Sequence, residues 1–339
     1  MKDIPNVNET EKNTVRGRIT NGVGGIYTVV TNGGESLSCR VRGAIRIPGA
    51  DSGSRTAGAY NTAARLDRPL CGDIVTAERG ADARSGAADG SGGVITAIHE
   101  RRNALIRPPL ANIDYIFAAF AAAKPAPVLM TVDKLLSIAE YNKIEPVIVI
   151  GKCELDRAAA AHSAYIYRRA GYAVFTLSCA TGEGISEFSA FIGEKLPGCI
   201  AAFAGASGVG KSTLLNALFP ELALRTGGVS EKIGRGRHTT RSCSLFALPG
   251  GGYIADTPGF SLLDFESFDF FGLDDLADTM REFRPYYGGC RYADCTHTKE
   301  EGCAVLGAVA DGAIARERHE SYLSMYAALK AKPFWGKGK

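Results

Sequence analysis

The sequence predicts three domains in series: an N-terminal all-β barrel, a central α/β domain built around a phosphate-binding loop, and a C-terminal, mostly α, metal-binding module. Three features carry this expectation. Short β-branched or alternating segments (GRIT, GIYTVVT, SLSCRVRG, DIVTAER and GVITAIHE) fall before residue 108 and are separated by glycine-rich turns. An apolar run at 199–204 meets Gly205-x4-Gly210-Lys211-Ser212, and apolar residues at helical spacing follow from Thr213 to Leu218. Cys290, Cys295, His297 and Cys303 crowd together near the C-terminus. At 339 residues the chain is too long for one ordinary core. A formal net charge of +3 is too small to announce a nucleic-acid partner, so local clustering of charge has to decide.

Residues 1–14 are polar and are expected to be disordered, with no secretion signal. The apolar stretch around 116–130 is broken by Lys124, Pro125 and Pro127, so no membrane span is expected there. Residues 15–107 hold the five strand-like segments, enough for a small closed barrel, of which the OB-fold is the commonest kind. The loops at 48–60 and 80–93 are low in complexity and should be mobile. Arg40, Arg42, Arg46, Arg55, Arg65 and Arg68, extended by Arg101, Arg102 and Arg107, give the region a basic cast. A barrel with arginines on one face fits RNA, and a solvated charged surface is the plainer alternative.

Pro108 and Pro109 open the central domain, expected over 108–264. Residues 127–131 can form a strand, and 131–141 a helix with Val132, Leu135, Leu136 and Ala139 on one face. PVIVI at 146–150 reads as a buried strand, 156–170 as a helix, 172–177 as a strand and 253–255 as another. Such alternation gives a parallel sheet with helices on both faces and ligand groups at the strands' carboxyl ends. The P-loop, Gly205, Ala206, Ser207, Gly208, Val209, Gly210, Lys211, Ser212 and Thr213, has the required strand–loop–helix context. Glycines there let successive backbone N–H groups face phosphate oxygens, Lys211 can reach the β- and γ-phosphates, and the Ser212 hydroxyl can ligate Mg²⁺. A bound nucleoside triphosphate follows.

The final region, 265–339, begins acidic and aromatic, with Asp274 or Asp275 placed to open a helix. Cys290-x4-Cys295-x-His297-x5-Cys303 offers three thiolates and an imidazole, a closed tetrahedral set for one structural Zn²⁺ that would contribute folding energy; an iron–sulfur site, which the lone His disfavours, and free buried cysteines are the alternatives. An odd, uneven set of nine cysteines argues for a reducing cytoplasm and a metal site over disulfides. Residues 311–329 read as an amphipathic helix with Ile314, Leu323, Tyr326 and Leu329 at usable spacings, and a basic tail with Phe334 and Trp335 ends the chain.

The order of the motifs is unusual. Gly151-Lys152-Cys153-Glu154 and Ser178-Cys179-Ala180 precede the P-loop, and Asp256-Thr257-Pro258-Gly259 follows it. In a GTPase the base-reading motif ordinarily comes last. With the barrel before and the cysteine cluster after, the chain resembles the ribosome small-subunit-dependent GTPase A family, whose G domain is circularly permuted. NALIRPPLANID, GASGVGKSTLLNAL, GRGRHTTRS and GGCRYADCTHTKEEGCAV all resemble that family's pattern, and the likeness covers nearly the whole chain.

The resemblance implies GTP and GDP as ligands, hydrolysis with Mg²⁺, and work on the small ribosomal subunit and its rRNA; a cytoplasmic protein is expected from the cysteines, and a monomer is the default expectation. It assigns base reading to residues 151–154 and 178–180, Mg²⁺ to Ser212, Asp256 and Thr240, and γ-phosphate sensing to the Gly259 N–H, with Thr239 as the alternative to Thr240. Lys211, Thr240, Gly259 and His238 are then the catalytic set. His238, in GRGRHTTR with Lys232, Arg235, Arg237 and Arg241, has two roles open: orienting water, or contacting phosphate or RNA. Two positions depart from the family's Asn-Lys-x-Asp, with Gly151 for Asn and Glu154 for Asp. Glu154 keeps the charge and the fork on a longer stem, so weaker or relaxed base choice is the expectation. The alternatives to this reading are a P-loop ATPase that remodels RNA and a nucleotide-gated RNA-binding module without turnover.

Overall fold

The computed structural model describes residues 13–41, 68–79, 92–105, 108–220, 243–256 and 271–331. Its first part is a closed barrel of β1 (Thr14–Val23), β2 (Ile26–Thr31), β3 (Ser36–Val41), β4 (Ile74–Arg79) and β5 (Gly92–Ile98). The ring order is β1-β2-β3-β5-β4 and back to β1, antiparallel except for β3 with β5. Closure needs β1 to serve two neighbours. Residues 14–18 pair with β4 and 17–23 with β2, so Gly17 and Arg18 face both, and the register shifts between Ile19 and Asn21, a bulge that bends the strand. Gly17 sits at this crowded crossing, where a Cβ would lie 2.6 Å from the Val30 carbonyl. Ile19, Val29, Leu37, Cys39, Val75 and Ile95 fill the interior. β1 begins at Thr14, inside the segment expected to be disordered.

The basic cast of the barrel is partly structural. Arg101 donates to both oxygens of Asp73 at 2.7 Å, and Asp73 is fully buried. Arg102 bonds Asp114 and the Asn112 carbonyl. Both side chains therefore brace the fold. Arg101 is largely covered, a correction to its place in the basic surface, whereas Arg102, Arg40 and Arg68 are exposed. Arg42, Arg46, Arg55, Arg65 and Arg107 lie outside the described residues.

A short ribbon, β6 (Ala104–Leu105) with β7 (Leu110–Ala111), leads to the central sheet. That sheet comprises β8 (Tyr115–Ala121), β9 (Glu145–Gly151), β10 (Ala173–Thr176), β11 (Ile200–Ala204), β12 (Ser244–Ala247) and β13 (Tyr253–Asp256), in the order β10-β9-β8-β11-β13-β12. All pairings are parallel except β12 with β13. The strand expected at 127–131 is not there. Leu129 already opens a helix, and the strand is YIFAAFA, earlier in the chain. An alanine-rich run buried on both faces has no alternation to betray it.

Helices α1 (Leu129–Tyr141), α2 (Arg157–Arg169), α3 (Ile185–Lys195) and α4 (Lys211–Leu218) complete the domain. Asp156 caps α2 by accepting from the Ala159 N–H. On α1, Val132, Leu135, Leu136 and Ala139 are buried as their spacing predicts, and so is Asp133. On the other side of the sheet, Phe117, Phe188 and Phe203 form an edge-to-face and tilted cluster under α3.

No α-helix opens at Asp274 or Asp275. The Asp275 carboxylate accepts from the Gly272 N–H, and only 3₁₀ turns follow, at Ala277–Thr279 and Arg281–Tyr286. The helix expected over 311–329 is instead α5 (Ala304–Ala310), a turn through Gly312 at φ +71°, and α6 (Arg316–Ala331). Ile314 lies in the turn, and the buried side of α6 is Arg318, His319, Ser321, Tyr322 and Met325. Leu323, Tyr326 and Leu329 are half-buried and pack against the same core, as their spacing predicts, but the most deeply buried positions of α6 are largely polar.

The reason is a buried charge. Arg318, 1% exposed, bonds Asp133 on α1 at 2.6 Å and both oxygens of Glu282. Tyr167 on α2 donates to the same Asp133 oxygen at 3.0 Å. The C-terminal region is thus locked to α1 and α2. Arg318→Ala leaves two buried carboxylates unpaired, and a loss of about 3–5 kcal/mol of unfolding free energy is expected in urea titration. A loss below about 1 kcal/mol would count against this account.

Candidate nucleotide site and metal centre

The loop between β11 and α4 is shaped by contacts that only glycine permits. Gly205 has φ +154°, and a Cβ there would lie 2.0 Å from the Ala119 carbonyl on the neighbouring β8. Gly208 and Gly210 have φ +80° and +100°, and Gly210 is the residue preceding the first turn of α4. Left-handed positions in such a run turn backbone N–H groups to one side and make an anion-binding concavity at a helix N-terminus. The Lys211 ammonium donates to the carbonyls of Gly205 (2.7 Å) and Ala206 (2.9 Å), so it arches over its own loop. Partial burial pushes its pKa down. Ser212 and Thr213 stand in the first turn of α4.

The base-reading segments converge on this loop. β9 ends at Gly151, and Lys152, at φ +55°, sends its ammonium to the carbonyls of Gly208 and Lys124, each at 2.8 Å. Cys153 is buried, and its N–H donates to the Leu177 carbonyl at 3.1 Å. The buried Ser178 hydroxyl accepts from the Thr181 N–H, which sets the turn that presents Cys179 and Ala180. Gly151, Lys152, Glu154, Cys179, Ala180 and Lys211 share a cavity of about 210 Å³. Phe120, Val149, Leu177 and Leu214 add its apolar walls; sequence reasoning missed them, and the signal that could have found them is their position at strand and helix ends beside the motifs.

The residues present fit a purine nucleotide. One oxygen of Glu154 is buried and has no hydrogen-bond partner among the described residues. A buried carboxylate oxygen left in that state wants N–H donors, which the Watson–Crick edge of guanine carries. Burial and then the field of Glu154 push the Cys179 thiol up. Gly151 is not a steric necessity. A Cβ there would make ordinary contacts with the Val209 carbonyl at 3.4 Å and the Phe120 carbonyl at 3.8 Å. Asp256 closes β13, beside β11. Thr239, Thr240, His238 and Gly259 lie outside the described residues.

The second cluster, Cys290, Cys295, His297 and Cys303, brings its four ligand atoms within 4.8 Å of one another. The His297 Nδ1 lies 3.6 Å from the Cys290 sulfur and 3.4 Å from that of Cys303, and those two sulfurs are 3.9 Å apart. Zn–S and Zn–N bonds of about 2.3 and 2.0 Å set the edges of a tetrahedron at roughly 3.5–3.8 Å, so the set fits zinc. The frame around it is rigid. His319 is within hydrogen-bonding distance of the His297 carbonyl at 2.8 Å, and the Tyr322 hydroxyl donates to that of Thr296. Burial works against ionisation of Glu300, yet the Thr296 hydroxyl and nearby backbone N–H groups hold its pKa down at about 2. The module does not stand alone: Phe283, Val305, Tyr322 and Met325 belong to the same core as α1 and α2.

Comparison with known proteins agrees over most of the chain. The family described as RsgA GTPase matches residues 98–266. A protein of Caldanaerobacter subterraneus described as "Small ribosomal subunit biogenesis GTPase RsgA" is 37% identical over 319 residues, covering 94% of this chain and 97% of that one. A Moorella thermoacetica protein of the same description is 45% identical over 240 residues, 71% of this chain and 80% of its own. Among solved structures, YjeQ from Thermotoga maritima superposes with a TM-score of 0.72 at 29% identity, covering 94% of this chain and 99% of its own. YloQ, described as a circularly permuted GTPase, gives 0.69 at 29% identity and covers 96% and 98%.

Two outcomes test the geometry. Glu154→Gln should weaken binding of a fluorescent GDP analogue about tenfold, the loss of one charge-assisted bond, while Gly151→Asn should hold or strengthen it. Unchanged affinity in Glu154→Gln would remove that carboxylate from base reading. Zinc chelation should open the 288–303 segment to limited proteolysis while α6, held by Arg318, stays protected; loss of both together would make the metal the module's main support.

Proposed function

The chain belongs to the RsgA GTPase family, and on that premise we propose that it hydrolyses GTP in the service of small ribosomal subunit biogenesis, docking on the subunit through its rRNA. The observation that carries the reading is the single cavity shared by the glycine-built phosphate loop and an unpartnered Glu154 oxygen, at the carboxyl ends of β9 and β11.

In this reading the loop N–H groups and Lys211 grip the β- and γ-phosphates, and Glu154, the Cys179 N–H and the stem of Lys152 hold the base. Lys152 also fixes the distance between base and phosphate ends, because its ammonium is bonded to Gly208. Mg²⁺, held by Ser212, Thr240 and Asp256, would neutralise charge developing on the phosphate oxygens. The Gly259 N–H senses the γ-phosphate. Ras-like proteins place a water-orienting glutamine after this motif, where this chain has Phe260, so intrinsic hydrolysis is slow and the subunit accelerates it.

Exposed Arg40 and Arg68 on the barrel, the basic run 232–241 and the zinc module are the surfaces proposed to meet rRNA. The protein acts as a cytoplasmic monomer. No helix among the described residues is long and apolar enough to cross a membrane.

The test is GTP turnover with and without purified small subunits, with ATP as control. Stimulation by about tenfold or more, and only with GTP, is expected. Equal turnover of ATP, or none with subunits present, would sink the proposal. In the same assay His238→Ala separates its two roles: lost stimulation with intact subunit binding assigns it to water orientation, and weakened subunit binding assigns it to RNA.

A further inference from the structure

A second cavity, of about 430 Å³, lies at the opposite end of the central sheet. Tyr115 and Glu145, the first residues of β8 and β9, line it, together with Cys199 just ahead of β11. These strands run from here to the nucleotide loop, and six residue steps of β9 separate the two sites by roughly 20 Å. All three parts of the chain contribute walls. Arg102 and Asp114 come from the segment joining the barrel to the sheet, Glu140, Lys143 and Glu145 from the end of α1 and the start of β9, and Arg281 and Arg284 from the zinc module.

The hydrogen bonding of this cavity is unbalanced. Its carboxylates are fully engaged. Asp114 accepts from Arg102 at 2.6 Å and from the Ile200 N–H at 2.8 Å. Glu140 accepts from Arg281 on one oxygen and Arg284 on the other, each at 2.8 Å. Both oxygens of Glu145 accept from Arg281, at 3.1 and 3.0 Å. The donors are not exhausted. Lys143 makes no side-chain bond among the described residues, and Arg284 uses only one of its terminal nitrogens. Arg102 keeps its Nε hydrogen. The lining carries four cations, Arg102, Lys143, Arg281 and Arg284, against three carboxylates, Asp114, Glu140 and Glu145.

We propose that this three-part junction is a binding site for a phosphoryl anion, separate from the nucleotide loop. The spare donors sit on three different walls. A phosphoryl group offers several oxygens in a tetrahedral array and can accept from all of them together, whereas a carboxylate has only two oxygens to offer. The volume lies in the range of small-ligand sites, roughly 300–1,000 Å³, and the polar lining excludes an apolar occupant. An anion held there ties the barrel linker to the zinc module across the amino ends of the strands that carry the nucleotide. The phosphoryl group has two possible sources, a free phosphorylated small molecule or the phosphodiester backbone of RNA.

The experiment uses the full-length, zinc-loaded protein saturated with GDP and excess Mg²⁺, so that the nucleotide loop is filled. Pyrophosphate is titrated by calorimetry in one arm, and a short single-stranded oligoribonucleotide without terminal phosphates in the other. Saturable binding is expected in at least one arm, weakened about tenfold by Lys143→Gln combined with Arg284→Gln, with GDP affinity unchanged. Lys143→Gln alone, which breaks no bond of the fold, should weaken it about threefold and guards against a folding artefact. Binding confined to pyrophosphate names a small molecule, and binding confined to the oligoribonucleotide names RNA. Binding in neither arm, or binding that both variants leave unchanged, overturns the proposal.

Discussion

One guanidinium decides how this molecule holds together. Arg318 sits between Asp133 and Glu282 with Tyr167 beside it, all buried at the seam between the zinc module and the two helices that cover one face of the sheet. Two acids share one cation out of water, and burial pushes the Asp133 carboxyl up; the cluster is tolerable only because every partner is also hydrogen-bonded. Such a seam contributes little net stability compared with apolar packing, but it is unforgiving of misalignment. The zinc module is therefore fastened to the helices that cover the central sheet by side chains as well as by its shared core.

The same economy is visible at the nucleotide end. Gly205 passes so close to Ala119 that the phosphate loop takes its position from β8, a strand on the far side of β11 from β13. Lys152 adds a second tether, from the base-reading segment to Gly208. With these two ties, permuting the chain costs the site nothing, because its geometry depends on neighbouring strand ends and not on the order in which the chain visits them. What the permutation changes is connectivity: among the described residues no strand of the central sheet follows β13, and the chain goes on to the zinc module.

Gly151 and Glu154 line the cavity beside Lys211 and the end of the phosphate loop. Room remains at Gly151 for a side chain, so the glycine is a choice of this sequence and not a demand of the backbone. The longer acid places a carboxylate oxygen where nothing among the described residues satisfies it. Together they describe a base pocket with its charge retained and one wall thinned.

How much was legible from residues alone varies with the range of the interaction that decides each feature. The P-loop, the zinc ligands and the five barrel strands were readable because their signals are local: glycines at fixed spacing, thiols within one loop, alternation between turns. The face of α1 was readable for the same reason. β8 was not, since a strand buried on both sides is defined by its neighbours β9 and β11 and leaves only an apolar run. Nor was the burial of Arg318 on α6, because a sequence cannot say that this arginine has two acids waiting from other elements, and an unpaired arginine belongs in water. Arg101 misled in the same way, its partner Asp73 lying 28 residues earlier, at the start of the neighbouring strand. Local chemistry wrote the motifs; the pairing of charges distant in the chain, which only the folded arrangement brings within bonding distance, decided which polar residues support the structure and which remain free to bind.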